Sequence, residues 1–282
     1  MKTIIIFLIV FANIALVAQP QFELSRNIYR SPYINGQEYR VSQDIVTHSP
    51  QGALDLRATG ADDCDSHQIV AAAAGTVRNV VENNNVSGPG NAAFNNYVWI
   101  QHANGEWTKY THFKQNSVVV TVGQVVCAGE VLGLECDIGA VSPANFRHLH
   151  FECRLPVDPI NPPISAAGGF MDSSEPRLIP VIGDITNNYY TQGDINTAAN
   201  SGCSNANESF VLLSVGNGEI EVSLASTSVS ASSAVTFSNG SNGFFRAGNN
   251  VTLSPGFTAS AGTYFSATVG SCGTTPWPGG CN

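Results

Sequence analysis

The chain has few charged residues. Only 12% of its 282 residues are Asp, Glu, Lys or Arg, three of them are lysine, and the formal charge is −9. Because acidic residues outnumber basic ones, the chain has few cationic side chains that could bind phosphate groups. Nucleic acid is therefore not expected as a partner. Beyond the first eighteen residues, no apolar run is long enough to span a bilayer.

The one long apolar run lies at the N-terminus. Residues 1–18, MKTIIIFLIVFANIALVA, contain one lysine, then an apolar stretch, then small residues. This order is typical of a secretory signal peptide cleaved after Ala18. The alternative, a membrane anchor, would need about 20 apolar residues. Cleavage removes Lys2 and changes the formal charge from −9 to −10. We therefore expect a protein outside the cytoplasm, secreted or at the periplasmic cell surface, with no membrane attachment after cleavage.

Zinc-knuckle spacing is also missing, because none of the seven cysteines forms a C-x-x-C pair. In an exported chain the cysteines are expected to form disulfides, and an odd number leaves one thiol over. Cys136 and Cys153 could brace the segment between them, and Cys203 and Cys272 bracket the last β-rich stretch. The pairing itself does not follow from the sequence.

No segment has sustained helical periodicity. Short β-rich runs separated by Gly, Asn or Pro fill the stretch from Ile69 to Arg154 and predict an all-β protein. We expect its main domain to be an antiparallel β-sandwich or open barrel. The predicted organisation is a signal peptide (1–18), the main domain (19–160), a linker or loosely ordered extension (161–205), a small C-terminal β module (206–272) and a tail (273–282).

Two histidines lie two residues apart in the stretch RHLHFEC at 147–153. In a β-strand alternate side chains share a face, so His148 and His150 would stand side by side, with Leu149 and Phe151 opposite. Such a pair could be a metal ligand and its catalytic neighbour, or two polar residues on the solvated side of a strand. Further histidines occur in THSPQGALDLRA, WIQHANGEW and KYTHF.

In their order, these motifs resemble the lysostaphin-type zinc metallopeptidases. The motifs are THSPQGALDLRATG, IVAAAAGTV, YVWIQHANGEWTKYTHF, VTVGQVVCAGEVLG and HLHFE, and they cover roughly residues 30–160. The family consists of secreted enzymes that cut peptide cross-links of bacterial cell walls. The resemblance implies a hydrolase whose substrates are peptidoglycan peptides, with one zinc ion per chain. We expect a monomer.

Carried over residue by residue, the resemblance implies that His48, Asp55 and His150 bind zinc and that His112 and His148 are catalytic. His148 would act as the general base, and His112 would orient the water or stabilise the oxyanion. Outside this set, Glu152 is expected to point away from the metal face, His67 to lie in a solvated loop and His102 to pack beside the cleft.

Two positions depart from the family pattern. The family commonly has HxxxD, whereas His48 and Asp55 are seven positions apart, so the residues between them must bulge outward. Arg147 stands where a small residue or proline often precedes the HLH motif, which would put a cation at the cleft edge. The spacing leaves open a catalytically inactive member that binds peptidoglycan or regulates a wall hydrolase. A structural β protein and a protease for glycine-rich proteins are further alternatives.

The C-terminal stretch NNVTLSPGFTASAGTYFSATV resembles a short β module at the end of some exported bacterial proteins. Val251, Leu253, Phe257 and Phe265 are expected to form a thin core, and the turns at SPG and SAG to reverse the chain. No acid, base or nucleophile clusters there. Wall attachment, targeting and simple stability are all compatible with its sequence.

Overall fold

Strands make up nearly all the regular structure of this protein. The computed structural model describes residues 22–185, 187–199 and 205–269, and in these it contains eighteen strands and one 3-10 turn at Ala92–Phe94. The prediction of an all-β protein is confirmed. The predicted signal peptide and tail lie outside the described residues. Among the residues described, no helix is long and apolar enough to cross a membrane.

The main sheet has eight strands, and each neighbouring pair in it is antiparallel, as predicted. A smaller antiparallel sheet pairs β4 (Gln68–Val70) with β9 (Val131–Leu134). The spatial order of the main sheet is β12 (Ile195–Thr197), β2 (Glu38–Gln43), β3 (Leu54–Ala58), β10 (Leu149–Arg154), β7 (Trp107–Thr111), β6 (Tyr97–Gln101), β5 (Gly75–Val81) and β8 (Val125–Val126).

Alternation along β10 separates the core from the polar face. Leu149 and Phe151 are fully buried in the main hydrophobic core, where Phe151 packs against Tyr110 of β7 at 5.3 Å between ring centroids. The residues between and after them, His150 and Glu152, turn to the opposite face and line a cleft. The strand therefore anchors the cleft side chains to a packed core.

The segment predicted as a linker or loose extension contains regular structure. β11 (Leu178–Ile182) pairs in parallel with β1 (Glu23–Tyr29), and β12 pairs with β2. Every residue of β11 is buried. Apolar residues in LIPVI join the main core, which explains this order in a segment otherwise rich in Pro and Gly. The predicted domain boundaries themselves stay a prediction.

The C-terminal module is a parallel solenoid, with strands that pair with the next turn of the chain. Ile220 pairs with Asn242, and Asn242 with Tyr264, so one turn takes 22 residues. The turns at SPG and SAG do not form antiparallel hairpins, because β16 and β17 pair in parallel with β14, and β18 pairs in parallel with β15. The strands are β13 (Asn205–Val215), β14 (Ile220–Phe237), β15 (Asn242–Ala247), β16 (Asn250–Leu253), β17 (Thr258–Ala259) and β18 (Tyr264–Val269).

Phenylalanines fill the solenoid. Phe237 and Phe245 are fully buried, and Phe257 and Phe265 pack against them. Val251 joins this core as predicted, but Leu253 is 40% exposed. A second face of the module, with Val222, Leu224 and Phe244, is buried in the main core of the protein. The module therefore shares a hydrophobic core with the sheet that carries the cleft.

Candidate metal centre and active site

Strand register brings the first part of the site together. His150 on β10 lies opposite Asp55 on β3 and opposite Thr111 on β7. Directly opposed residues on one face have Cβ atoms about 4.5–5.5 Å apart, which allows their side chains to meet. The main sheet itself thus places a histidine and an aspartate side by side.

A loop delivers the third member. His48 lies within the 44–53 loop between β2 and β3, and its Nε2 lies 3.4 Å from Oδ1 of Asp55. Nδ1 of His150 approaches the same oxygen at 3.2 Å. The donor atoms of His48, Asp55 and His150 all lie within 4.8 Å of one another. The long spacing between His48 and Asp55 therefore still allows both side chains to reach one point.

Hydrogen bonds determine which ring nitrogens face that point. Nδ1 of His48 donates to the carbonyl oxygen of Pro50 at 2.8 Å, since a carbonyl can only accept. On the other ring, Nε2 of His150 lies 3.1 Å from Oε1 of Glu152 and donates to that carboxylate. Nε2 of His48 and Nδ1 of His150 are left toward Asp55. Metal-binding histidines commonly hold their other nitrogen in this way.

Asp55 is an anion in this environment. Burial alone would raise the pKa of its carboxyl group, but hydrogen bonds to His150 and His48 hold that pKa well below its usual range. For His150, burial lowers the pKa, whereas the hydrogen bonds to Asp55 and Glu152 raise it, with a net rise. The site is thus built around a buried carboxylate that requires cationic partners.

His112 and His148 form a second pair beside this cluster. Their ring centroids are 4.7 Å apart, and Nε2 of His148 lies 3.5 Å from Oδ1 of Asp55. Each Nδ1 donates to a backbone carbonyl at 2.8 Å, that of Ile138 for His112 and that of Phe146 for His148. Burial lowers the pKa of both imidazoles. Both rings are therefore neutral near pH 7 and present the lone pair of Nε2 to the cleft.

The backbone at His112 helps to aim its ring. β7 ends at Thr111, and His112 has φ = 72°, in the left-handed region that non-glycine residues seldom occupy. Its amide donates to the carbonyl of Asn96, and its carbonyl accepts from the amide of Cys136, which holds this conformation in place. Strain at a residue facing a cleft is a recognised feature of functional sites.

Glu152 belongs to the site, and the expectation that it points away is wrong. Residues two apart on a strand share a face, so Glu152 follows His150 into the cleft. Its carboxylate accepts from Nε of Arg154 at 3.0 Å and lies 3.6 Å from Nζ of Lys109, which is directly opposite on β7. Lys109 is fully buried and also donates to the carbonyl of Gly168. Arg154 and Lys109 thus hold the Glu152 carboxylate in place, and Glu152 in turn holds the ring of His150.

The cleft has a volume of about 870 Å³. Its floor is the polar face of the main sheet, with all five predicted site residues among the lining side chains. One wall comes from the 163–177 segment, which lies within the predicted linker. The lining residues of that wall are Pro163, Ser165, Phe170, Met171, Asp172, Ser173 and Arg177.

Two further predictions near the cleft, for His67 and Arg147, need correction, whereas nothing contradicts that for His102. His67 is not solvated but 4% exposed, with hydrogen bonds to Gln37 and Ala61. Arg147 does not line the cleft, because it is buried in an ion pair with Glu135. His102 is buried and hydrogen-bonded to Ala74 and Thr108, and burial lowers its pKa to about 4.

A disulfide holds the two cleft histidines of the second pair, but it is not the expected one. Cys136 is bonded to Cys64, whereas Cys153 is a free, buried thiol. β10 points Cys153 into the core, away from Cys136. The amide of Cys136 donates to the carbonyl of His112, and the amide of His148 donates to the carbonyl of Cys136. The expected Cys203–Cys272 bridge lies outside the described residues.

We predict a large stability loss when this disulfide is removed. The bond closes a loop of 72 residues, and loop-closure entropy assigns it about 4 kcal/mol. A protein with Cys64→Ser and Cys136→Ser should unfold at a lower urea concentration than wild type. Cys153→Ala, which alters a cysteine outside the disulfide, should cost about 1 kcal/mol. Equal midpoints for wild type and the double variant would contradict the prediction.

Comparison with known proteins identifies the central part of the chain. Residues 53–162 match the model of Peptidase family M23. The chain therefore contains a peptidase family M23 domain. Asp55, His112, His148 and His150 lie within the matched residues, whereas His48 precedes them. A search of curated proteins returned no match.

Solved structures that match part of this chain include the following three proteins. A putative peptidase M23 from Pseudomonas aeruginosa is 24% identical, with 47% of this chain and 48% of that chain covered and a TM-score of 0.31. A zinc containing peptidase from Vibrio cholerae is 22% identical, with 47% of this chain and 35% of that chain covered and a TM-score of 0.28. The catalytic domain of lysostaphin from Staphylococcus simulans is 17% identical, with 50% of this chain and 94% of that chain covered and a TM-score of 0.30. The chain thus covers less than half of the first two proteins.

Proposed function

We propose that the protein is an exported zinc metalloendopeptidase that hydrolyses peptide bonds in bacterial peptidoglycan, in cross-links or stem peptides. The observation that carries the proposal is the convergence of His48, Asp55 and His150 beside a second pair of neutral histidines. The peptidase family M23 domain supports peptide hydrolysis as the reaction. The acidic chain argues against nucleic acid as a partner, and we propose that the enzyme acts as a monomer outside the cytoplasm.

The donor set fits zinc. Ligands about 2.0–2.1 Å from a tetrahedral zinc ion are about 3.3 Å from one another. The separations of 3.4 Å and 3.2 Å from Asp55 to His48 and His150 match that edge length. Two imidazoles and one carboxylate are ligands that zinc prefers, and three protein ligands are typical of catalytic rather than structural sites.

His48 would hold the ion through Nε2, His150 through Nδ1 and Asp55 through its carboxylate, with one zinc per chain. When bound, zinc supplies the Lewis acidity that makes water acidic enough to attack a peptide carbonyl near neutral pH. One carboxylate leaves the centre with a net charge of about +1, which favours an anionic transition state. The hydrogen bonds to Pro50 and Glu152 keep both rings in the required orientation.

His148 is the proposed general base. Its Nδ1 proton is committed to the carbonyl of Phe146, so Nε2 is available to accept the proton of the attacking water. His112 also presents a lone pair at Nε2, which would orient that water by accepting its second hydrogen. The proton that Nε2 of His148 accepts would then pass to the nitrogen of the leaving amine, which balances the hydrolysis. No covalent intermediate with the protein is needed.

The test of the function combines metal content with turnover. Purified protein should contain about one zinc per chain by elemental analysis and should lower the turbidity of a cell-wall suspension. Dialysis against a chelator should stop the clearing, and zinc should restore it. Zinc without clearing or peptide release would favour the inactive, wall-binding alternative. Wild-type protein without zinc would overturn the proposed metal centre.

We expect Glu152→Gln to weaken zinc binding by about 10- to 100-fold, the usual effect of losing a carboxylate that orients a metal-binding histidine. Competition with a chelating dye measures this affinity. Lys109→Met is the matched control, because it disturbs the same buried cluster but leaves the bond between His150 and Glu152. Equal losses of affinity in both variants would indicate a general loss of structure rather than the orienting role.

A further inference from the structure

One cation in the cleft is attracted by a carboxylate that it does not bind. Arg177 lines the wall opposite the main sheet, and its side chain is half-buried. The charge of Glu152 acts on it, but among the described residues its guanidinium group forms no hydrogen bond or salt bridge. A partly desolvated charge whose hydrogen-bond donors have no protein acceptor is unfavourable, so such groups in clefts commonly serve ligands.

The other charged groups of the wall and floor are already committed. Arg154 donates to Glu152 and to the carbonyl of Glu175. Glu152 is shared between Arg154 and His150. Asp172 accepts from the amide and the hydroxyl of Ser174 within its own turn. Of the cleft-lining charges within the described part of the chain, the guanidinium group of Arg177 is therefore the one that holds no hydrogen bond and can receive an incoming anion.

The position of Arg177 is fixed beside the metal site. An added Cβ at Gly52 would lie 2.1 Å from Cδ of Arg177, so the arginine stem rests directly on the loop that carries His48. The backbone of Arg177 also forms a β-bridge with Arg154. Burial and the charge of Arg154 lower the pKa of Arg177, the charge of Glu152 only partly opposes this, and the net lowering reflects the cost of holding two cations close together. An anion bound here would offset that cost.

We infer that Arg177 binds a free carboxylate of the substrate peptide and thereby sets the preference for anionic wall peptides. The inference rests on the proposed peptidase function. Peptidoglycan stem peptides carry free carboxylates, and a guanidinium group can hold one through two parallel hydrogen bonds. Arg177 contacts the loop that carries His48, and both residues line one cleft, so the bound carboxylate would lie on the same substrate molecule as the scissile peptide bond. Amidated peptides lose the charge and one acceptor, so they bind less well.

The test uses cross-linked peptidoglycan peptides in two forms, with their carboxylates free and with the same carboxylates converted to amides. Wild-type protein is given both forms in one mixture, and mass spectrometry gives the ratio of their kcat/KM values. We expect a preference of about 10- to 100-fold for the free carboxylate. In Arg177→Gln this ratio should fall to near one, and Arg177→Lys should retain part of it.

Arg40→Gln is the matched control, because Arg40 is exposed on β2 and does not line the cleft. It should keep the wild-type ratio. Equal cleavage of both peptides by wild type, or an unchanged ratio in Arg177→Gln, would overturn the inference and leave the peptidase function intact. Calorimetry with a His148→Ala variant covers the case in which wild-type protein cleaves neither peptide, because it measures binding alone. If neither peptide is cleaved by wild type but this variant binds the free form more tightly, the peptidase function fails and the subsite stands.

Discussion

Replacing His148 with alanine is expected to lower peptide turnover by about 10²- to 10⁴-fold while zinc content stays near one per chain. General-base catalysis contributes a factor of this size. Nε2 of His148 lies 3.5 Å from Asp55, but the three-residue donor cluster is complete without it. The loss should therefore appear in turnover, measured as peptide release, and not in elemental analysis.

Two glutamine variants provide the controls. His148→Gln retains hydrogen-bonding capacity but cannot act as a base near pH 7, so it should be as inactive as the alanine variant. His67→Gln makes the same change at a buried histidine outside the cleft and should retain activity. Loss of zinc from His148→Ala would instead make His148 a ligand and would require a different division of roles.

Replacing Asp55 with alanine is expected to abolish zinc binding, with complete loss of turnover. Both ligand histidines direct a nitrogen at Oδ1 of this carboxylate, and its removal leaves an opening in the centre of the cluster. The loss of affinity should exceed the about 10- to 100-fold expected for an outer partner such as Glu152. Elemental analysis after gel filtration provides the measurement.

Asp55→Asn refines this prediction, because it keeps the shape of the side chain and removes only the charge. Weakened but measurable zinc binding is expected for it. Asp62→Asn is the matched change outside the cleft, at an exposed carboxylate paired with Arg57. It should leave zinc content unchanged. Full zinc occupancy in Asp55→Ala would exclude Asp55 as a ligand.

The candidate site could be predicted from the sequence to a large extent. Alternation along HLHFE and the order of the surrounding motifs pointed to five side chains, and the structure brings all five into one cleft. Their catalytic and metal-binding roles stay predictions. The same alternation could have placed Glu152 beside His150. Lys109 could not be found in this way, because its meeting with Glu152 depends on the register between β7 and β10.

Other features depended on contacts that a sequence does not encode locally. Cys64 and Cys136 are 72 positions apart, so their pairing depends on the tertiary structure and not on the sequence around either cysteine. In the solenoid, Gly218, Gly240 and Gly262 recur every 22 residues with positive φ. This spacing of glycines is present in the sequence, but the residues between them vary too much for the repeat to be recognised. Glycine-rich turns alone also fit antiparallel hairpins.

The wall that carries Arg177 lies just beyond the matched family domain, which ends at residue 162. On the proposed function, bond breaking and the choice of peptide thus depend on different stretches of one chain. Changes in the 163–177 segment would then redirect the proposed enzyme to another wall chemistry without altering His48, Asp55 or His150. Conversely, a protein trimmed to residues 53–162 would keep His112 and His148 but would lose both Arg177 and His48, one of the three proposed metal donors. It would also uncover the aromatic side chains of Trp99 and Trp107, which pack against Met171.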